Sequence, residues 1–493
     1  MIAIGYDVGS SFVKAALVDE HSGQSIARTR VPEAEIPIEA QAPGWAEQDP
    51  NLWWEYLCQA TQKLLGQAQI NADQISSIGI SYQMHGLVLV DQQLNPLRKS
   101  IIWCDSRATP YGQKAFETLG KEYCKKHLLN SPGNFTASKL AWVIENEPEC
   151  YRRTSKLMLP GDFLAAKLSG IPQTTITGLS EGIFWDFKND QPSAALLDHY
   201  HIDPALVPER VPNFEVQAKV SKTAALETGL APGTPITYRA GDQPNNAYTL
   251  GARRPGDVVA TGGTSGVVYA LTDQLSGNEL TKVNTFAHVD YRPQQKMFGK
   301  LLNLNGAGIQ YRWLHQLMGS TPYPQMNHSA AQAPIGSNGL MIFPFGNGAE
   351  RMLENKMVNG HISNINFNIH DNRHLIRATL EGIAFALIYG IEMLKNDGVS
   401  IENLKVGNDN LFLSDVFSST IADTLGITIE ILETTGAEGA AKAAIAGRVG
   451  TQNTEKIQIT KTIAPNPKSK DESRSAYENW KQQLLENILN NEK

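Results

Sequence analysis

Five short stretches of this chain carry residue types that together could move a phosphoryl group onto an alcohol. Arg239-Ala240-Gly241-Asp242-Gln243 follows an apolar run, Pro235 to Tyr238. A carboxylate at such a strand end can project into a cleft and accept a proton from a hydroxyl as a new bond forms. Asp242 is the best-placed acceptor in the sequence, although an aspartate at a turn or helix N-cap is the commoner reading of that stretch alone. Two loops rich in small and hydroxyl residues, Asp7-Val8-Gly9-Ser10-Ser11 with Lys14, and Thr261-Gly262-Gly263-Thr264-Ser265-Gly266, suit phosphate. Glycine lets the backbone approach closely, successive N–H groups can converge on one anion, and the hydroxyls add donors. Asp7 beside a phosphate would be repulsive without a cation between them, and Mg²⁺ held by Asp7 through water is the natural bridge. Each loop alone also reads as an ordinary tight turn. Neither is a P-loop with its terminal Lys-Ser/Thr, and neither is a dinucleotide G-x-G-x-x-G opening a helix.

Two further segments suit a polyol. Gln83-Met84-His85-Gly86 is a polar insert between apolar runs at Ile78–Ser81 and Leu87–Val90. Trp103-Cys104-Asp105-Ser106-Arg107 follows the strand-like Ser100–Ile102, with an aromatic ring for C–H faces and charges for hydroxyls. A satisfied core histidine and an ordinary Asp105–Arg107 ion pair are the competing readings.

These stretches need strands to present them. Ile2–Tyr6 and Val13–Val18 read as a hairpin around the first loop. Residues 50–68 have helical periodicity, with Leu52, Trp53, Tyr56, Leu57, Leu64 and Leu65 on one face. Strands and helices then alternate, as in a layered α/β protein. Near residue 250 the pattern restarts, with Asp257–Ala260 and Val267–Leu271 flanking the second loop. Gly9 to Leu17 and Gly263 to Leu271 share a glycine, a serine, a valine, an alanine and a leucine in register, which points to a duplicated fold. Near the C-terminus Trp480, Leu484, Leu485 and Ile488 mark an amphipathic helix.

Bulk properties narrow the function. A chain of 493 residues calls for two or more domains. Hydrophobic content of 41%, charged content of 19% and a net charge of -7 are those of a globular protein, without the basic footprint of a nucleic-acid or polybasic membrane binder. Cys58, Cys104, Cys124 and Cys150 have no Cys-x-x-Cys spacing, so zinc and dithiol redox chemistry are not expected. There is no signal-peptide pattern and no apolar run near ~18 residues. Cytoplasm is the expected location.

The motifs, in this order, resemble those of the FGGY carbohydrate kinases, and among them the xylulose kinases. The likeness covers nearly the whole chain. It rests on the first loop, on Pro43-Gly44-Trp45-Ala46-Glu47-Gln48-Asp49-Pro50 with Trp53-Trp54, on Gln83-Met84-His85-Gly86, and on Phe135-Thr136-Ala137-Ser138-Lys139-Leu140 with Trp142. Leu159 to Leu164, Ala240-Gly241-Asp242-Gln243 and Gly262 to Gly266 complete it. The resemblance implies two actin-like (ribonuclease H-like) α/β domains, 1–248 for sugar and base and 249–493 for nucleotide, with a cleft between them. It implies ATP and Mg²⁺ as cofactors and phosphorylation of D-xylulose to D-xylulose 5-phosphate. Asp242 would be the base, with Gln83, Met84, His85, Trp103, Asp105 and Gln243 around the sugar. Gly9, Ser10, Ser11, Lys14, Gly263, Thr264 and Ser265 would hold the phosphates. Gly306, Gly308, Gly407, Asn408 and Asn410 would lie at the nucleoside. A homodimer is implied by the resemblance alone. A sister kinase of L-ribulose, another ketose or a polyol would share the base, and a non-catalytic sensor on the same scaffold would not need it. Two departures stand out. Gly407-Asn408-Asp409-Asn410 replaces a glycine-rich adenosine motif, and Ala349 interrupts a Gly-Glu-Arg motif at Gly348-Ala349-Glu350-Arg351.

Overall fold

The computed structural model describes residues 1–275, 278–408, 410–450 and 458–489. Two mixed sheets organise the chain. The first uses β1 (Ile2–Val8), β2 (Val13–Asp19), β3 (Ser25–Val31), β4 (Ile75–Tyr82), β5 (Ala218–Lys219) and β6 (Pro235–Gly241), in the order β5-β6-β4-β1-β2-β3. The second uses β7 (Val258–Gly262), β8 (Gly266–Thr272), β9 (Asn284–Ala287), β10 (Phe298–Leu304), β11 (Asn403–Gly407), β12 (Thr428–Leu432) and β13 (Ile459–Ile463), in the order β9-β10-β8-β7-β11-β12-β13.

The cores of the two sheets are the same object. In the first, β3, β2 and β1 pair antiparallel, and β4 and β6 continue in parallel. In the second, β10, β8 and β7 pair antiparallel, and β11 and β12 continue in parallel. This is the duplication expected from the repeated hairpins, in the actin-like form that the resemblance implies. The hairpins do not superpose residue for residue, however. Val8 pairs with Val13 around loop 9–12, whereas Gly262 pairs with Gly266 around the shorter loop 263–265. Two glycines facing each other let the second ladder close one pair further.

Eight helices matter for the site: α1 (Pro50–Ala68), α2 (Thr136–Asn146), α3 (Ile176–Glu181), α4 (Asp242–Thr249), α5 (Ala307–Leu317), α6 (Asn372–Asn396), α7 (Gly436–Val449) and α8 (Lys470–Gln483). Asp49 caps α1 by accepting from the Asn51 amide, and Pro50 occupies the first turn, where its missing N–H costs nothing. Trp53, Leu57 and Leu64 of α1 are buried beneath β2 and β3. Helix α6 is long and apolar enough to span a membrane, but most of it is buried in the core of the second half. Helix α8 buries Trp480, whose indole N–H donates to the Ile342 carbonyl at 2.9 Å. Leu484 and Ile488 follow in a closing wider turn and are buried, whereas Leu485 is exposed: the wider turn rotates it off the expected stripe.

Helix α7 carries the chain of the second half back onto the first sheet. It lies across β1, β4 and β6 with the alanines Ala437, Ala440, Ala441 and Ala444 inward, all buried. The approach is close because β1 and β4 offer Gly5 and Gly79 there. A Cβ on either would overlap the helix backbone at Ala437 and Ala440. Helix α4, which follows β6 as α7 follows β12, packs against α7. The two equivalent helices thus meet between the sheets, and Asn245 of α4 donates to the Gly436 carbonyl at 3.0 Å.

Candidate active site

The parallel strands β1, β4 and β6 end side by side. Register aligns Asp7 with Ser81 and Ser81 with Ala240, so Asp7, Ser81 and the peptide leading to Asp242 form one row at the carboxyl edge of the sheet. Open α/β sheets bind ligands at that edge, where strand ends open into a crevice. Asp242 is the first residue of α4 and is half-buried. Burial, and then the facing charge of Asp7, push its carboxyl up from 3.8 to about 7. Gln243 donates to Asp242 Oδ2 at 3.3 Å. Asp7 accepts from Ser81 Oγ at 3.0 Å and pairs with Lys14 at 3.5 Å. The first turn of α7 closes the row, with Gly436 so near that a Cβ there would stand 2.9 Å from the Asp7 carboxylate.

The first loop is held from behind. Gln48 Nε2 donates to the Ser10 carbonyl at 2.6 Å, while Gln48 Oε1 accepts from Trp53 Nε1 at 3.1 Å and Gln83 Nε2 at 3.2 Å. Gln83 is therefore turned into a buried network that joins the loop to the neighbouring segment. In front, Trp103 is 47% exposed and donates from Nε1 to Ser10 Oγ at 3.4 Å.

His85 sits in the left-handed region at φ 62°, a conformation a non-glycine residue holds only when its surroundings fix it. Two bonds do so. The buried Lys139 ammonium donates to the His85 carbonyl at 2.8 Å and to the Ile102 carbonyl at 2.9 Å, and the imidazole Nδ1 donates to the Glu181 carbonyl at 2.8 Å. Because a carbonyl only accepts, Nδ1 carries the hydrogen and Nε2 is left as an acceptor. Burial, reinforced by Lys139, lowers the imidazole to about 3, so it is neutral at any working pH. The ring packs in a three-ring cluster with Phe135, at 4.8 Å, and Phe286 of β9, at 5.3 Å, which also contact each other. Met84 is buried against Gly241.

Asp105 is not a sugar-facing group. It is fully buried, its two oxygens are taken by the Arg107 guanidinium, and Oδ2 also accepts from the Ala46 amide at 2.6 Å. Arg107 in turn lies over the Trp45 ring at 3.7 Å. The ion pair anticipated as the competing reading is what the chain builds, and it braces the Trp103 turn.

The second loop borders a cavity of 820 Å³ that also includes Gly308, Tyr311, Arg312, Asn327 and Leu411. Gly308 and Ile309, in the first turn of α5, donate to the carbonyls of Gly263 and Thr264 at 3.1 and 3.0 Å, which ties helix and loop together. Ser265 lies in the same loop, and Gly407 ends β11 one step beyond the Ala260–Val406 pairing. Asn408 donates its amide to the Leu432 carbonyl at 2.9 Å. Asp409 and the Asn410 side chain lie outside the described residues. The residues after the inserted Ala349 are both anchored. Glu350, fully buried, accepts from the Asn305 and Gly306 amides at 3.0 and 3.1 Å, and burial raises its carboxyl to about 7. Arg351 donates across the halves to Ser131 Oγ at 3.4 Å.

Two mixed sheets of the same actin-like topology, with the raised Asp242 carboxyl at the edge of one and an 820 Å³ cavity beside the hairpin of the other, are the architecture of a phosphotransferase class. Family comparison agrees. The N-terminal domain of the FGGY family of carbohydrate kinases matches residues 2–248 and its C-terminal domain matches residues 258–449. The chain belongs to that family, and it is a carbohydrate kinase. It is 27% identical over 407 residues to the xylulose kinase of Bacillus subtilis, spanning 81% of this chain and 79% of that protein. The ligand-bound xylulose kinase of Lactobacillus acidophilus superposes with a TM-score of 0.88 at 22% identity, over 99% of both chains. A gluconate kinase of the same organism gives 0.85 at 22%, over 98% of both. These two structural matches share the fold.

Sequence reasoning did not single out Glu181 or Phe286, and it met Glu350 only within the interrupted Gly-Glu-Arg motif. Lys139 and Gln48 stood only inside longer motifs; a lysine beside Leu140, Ala141 and Trp142 was the available signal for the first.

Proposed function

We propose that this kinase transfers the γ-phosphoryl group of ATP to O5 of D-xylulose, with Asp242 as general base. The observation that carries the reading is the half-buried Asp242 carboxyl, raised to about 7, at the strand edge it shares with Asp7 and beside the Met84–His85 turn. O5 attacks phosphorus as its proton passes to Asp242; the O5–P bond forms, the bond to the β-phosphate oxygen breaks, and ADP leaves. Neutral His85 offers Nε2 as an acceptor for a sugar hydroxyl. Main-chain amides and hydroxyls of Ser10, Ser11, Thr264 and Ser265 stabilise charge on the transferring group, with Gly9, Gly263 and Lys14 shaping the same crevice. The residues fit a divalent cation: Asp7 offers a hard oxygen donor, and two facing carboxylates next to a triphosphate call for positive charge. Asp7 would hold Mg²⁺ through water, and the cation would neutralise charge on the phosphate oxygens. Gly306, Gly308 and the end of β11 border the space for the nucleoside.

The names of the relatives support a ketose over other acceptors. An ADP-release assay across pentuloses, hexuloses, glycerol and gluconate tests this directly. D-xylulose should give the highest kcat/KM; a higher value with gluconate or L-ribulose would reassign the acceptor while leaving the base in place.

A further inference from the structure

Glu181 stands directly behind the base and takes no part in the mechanism above. It closes α3, is 1% exposed, and presses its carboxyl on the peptide that leads into Asp242: a Cβ on Gly241 would overlap Glu181 Oε2 and Met84 Cγ. Its main-chain carbonyl is the acceptor that fixes the His85 ring. The residue before it, Ser180, accepts through Oγ from the Ala287 amide of β9 at 2.8 Å, next to Phe286 on the His85 ring. One end of a short helix therefore touches the base peptide, the sugar-side histidine and a strand of the other half.

We propose that Glu181 is a positioning residue that locks the Gly241–Asp242 peptide, Met84 and the His85 turn into one unit. The proposal rests on the functional reading of Asp242 given above. Its carboxyl works without charge. Burial, and then the neighbouring Asp242 on α4 and Asp162 on the helix Pro160–Ser169, hold its proton on well above the usual carboxylate range. The Tyr82 hydroxyl on β4 lies within its reach, and Tyr269 on β8 faces it from the second sheet. Among the described residues neither Glu181 Oε1 nor the Tyr82 hydroxyl has another hydrogen-bond partner. A protonated carboxyl is thus a dry wall for Asp242. An ionised one would stand as a second buried anion against it, at heavy cost. Glycine at position 241 is the matching concession, since any side chain there would evict the wedge.

The test compares Glu181→Gln, Glu181→Ala, Gly241→Ala and the double variant Gly241→Ala/Glu181→Ala in the intact chain. Two readouts are used: the pH profile of kcat/KM for D-xylulose, and the pH dependence of thermal stability, which needs no turnover. Glu181→Gln, a neutral isostere, should leave the acid limb within a few tenths of a pH unit of wild type. Glu181→Ala lets water reach Asp242, so both the acid limb and the stability transition should move down by about one unit, with the sugar KM up about tenfold and the ATP KM unchanged. Gly241→Ala should lose about a hundredfold in kcat/KM, and the double variant should recover part of that loss. The proposal is overturned if Glu181→Gln shifts the limb by a unit, which would mean a charged Glu181. It is equally overturned if Glu181→Ala moves neither readout. A wild-type chain inactive with every sugar would instead sink the functional reading, and the stability transition would still decide the role of Glu181.

Discussion

Asp7 and Asp242 stand at the ends of β1 and β6 with only β4 between them, and the charge of the first helps hold the proton on the second. A carboxyl buried beside a like charge gives up its proton late, which suits Asp242 to the general-base role proposed for it near neutral pH. Two consequences in pH follow from that relationship.

Under the proposed mechanism activity should fall on the acid side with an apparent pKa of about 7, because Asp242 would have to be ionised to accept the sugar hydroxyl's proton. The stability effect has the opposite direction. Asp242 binds its proton more tightly folded than unfolded, so stability falls as pH rises from about 4 to about 7 and is level above that. Asp242→Asn should therefore be more stable than wild type at pH 8, by about 1–2 kcal/mol for a half-exposed group, and no more stable at pH 4. Thermal melts across this range check it; a variant equally stabilised at both pH values would contradict the raised carboxyl.

His85→Ala should raise the KM for the sugar about tenfold to a hundredfold, the cost of one lost hydrogen bond with its buried partner left open, and should leave the ATP KM close to wild type. Steady-state kinetics with each substrate varied in turn decides this. An equal rise for both substrates would make His85 a structural residue.

Lys139→Met removes the ammonium shared by the His85 and Ile102 carbonyls. Two buried acceptors are left without it, at a cost of about 2–4 kcal/mol in stability. Burial lowers this lysine to about 7, below its ordinary 10.5. The folded chain thus holds that proton less tightly than the unfolded one, and the cost of burying the charge disappears as pH rises from about 7 to about 10.5. The sugar KM should rise with the loss of Lys139 while nucleotide binding, followed by calorimetry, is retained. Loss of both would place Lys139 in the general core.

Gly79→Ala inserts a methyl where the α7 backbone lies against β4. The helix must lift from the first sheet, and denaturant melts should show a loss of at least about 1–3 kcal/mol. A neutral substitution would mean that α7 is not seated on that sheet.

The strands and the place of Asp242 at the end of one of them could be read from the chain because both are local. Mostly apolar runs of four to six residues bounded by small polar ones mark β1, β2, β6, β7 and β8, and Asp242 follows one of them. What could not be read is long-range. The role of Asp105 turned on Arg107 and the Ala46 amide closing around it. Gln83 was drawn inward by Gln48, thirty-five positions earlier. Glu181 acquires meaning only where β6 and the Met84 turn converge. The alanine pattern of α7 marks a helix, yet only Gly5 and Gly79 on distant strands tell which sheet it covers.

Replacement of Asp242 by asparagine tests the proposed chemistry most directly, with ADP release and sugar binding measured on the same preparation. Turnover of D-xylulose should fall by about 10²–10⁴-fold, the range for a lost general base, while calorimetry still shows the sugar binding. Wild-type turnover in the Asp242→Asn variant, with sugar bound, would contradict the assignment of the base.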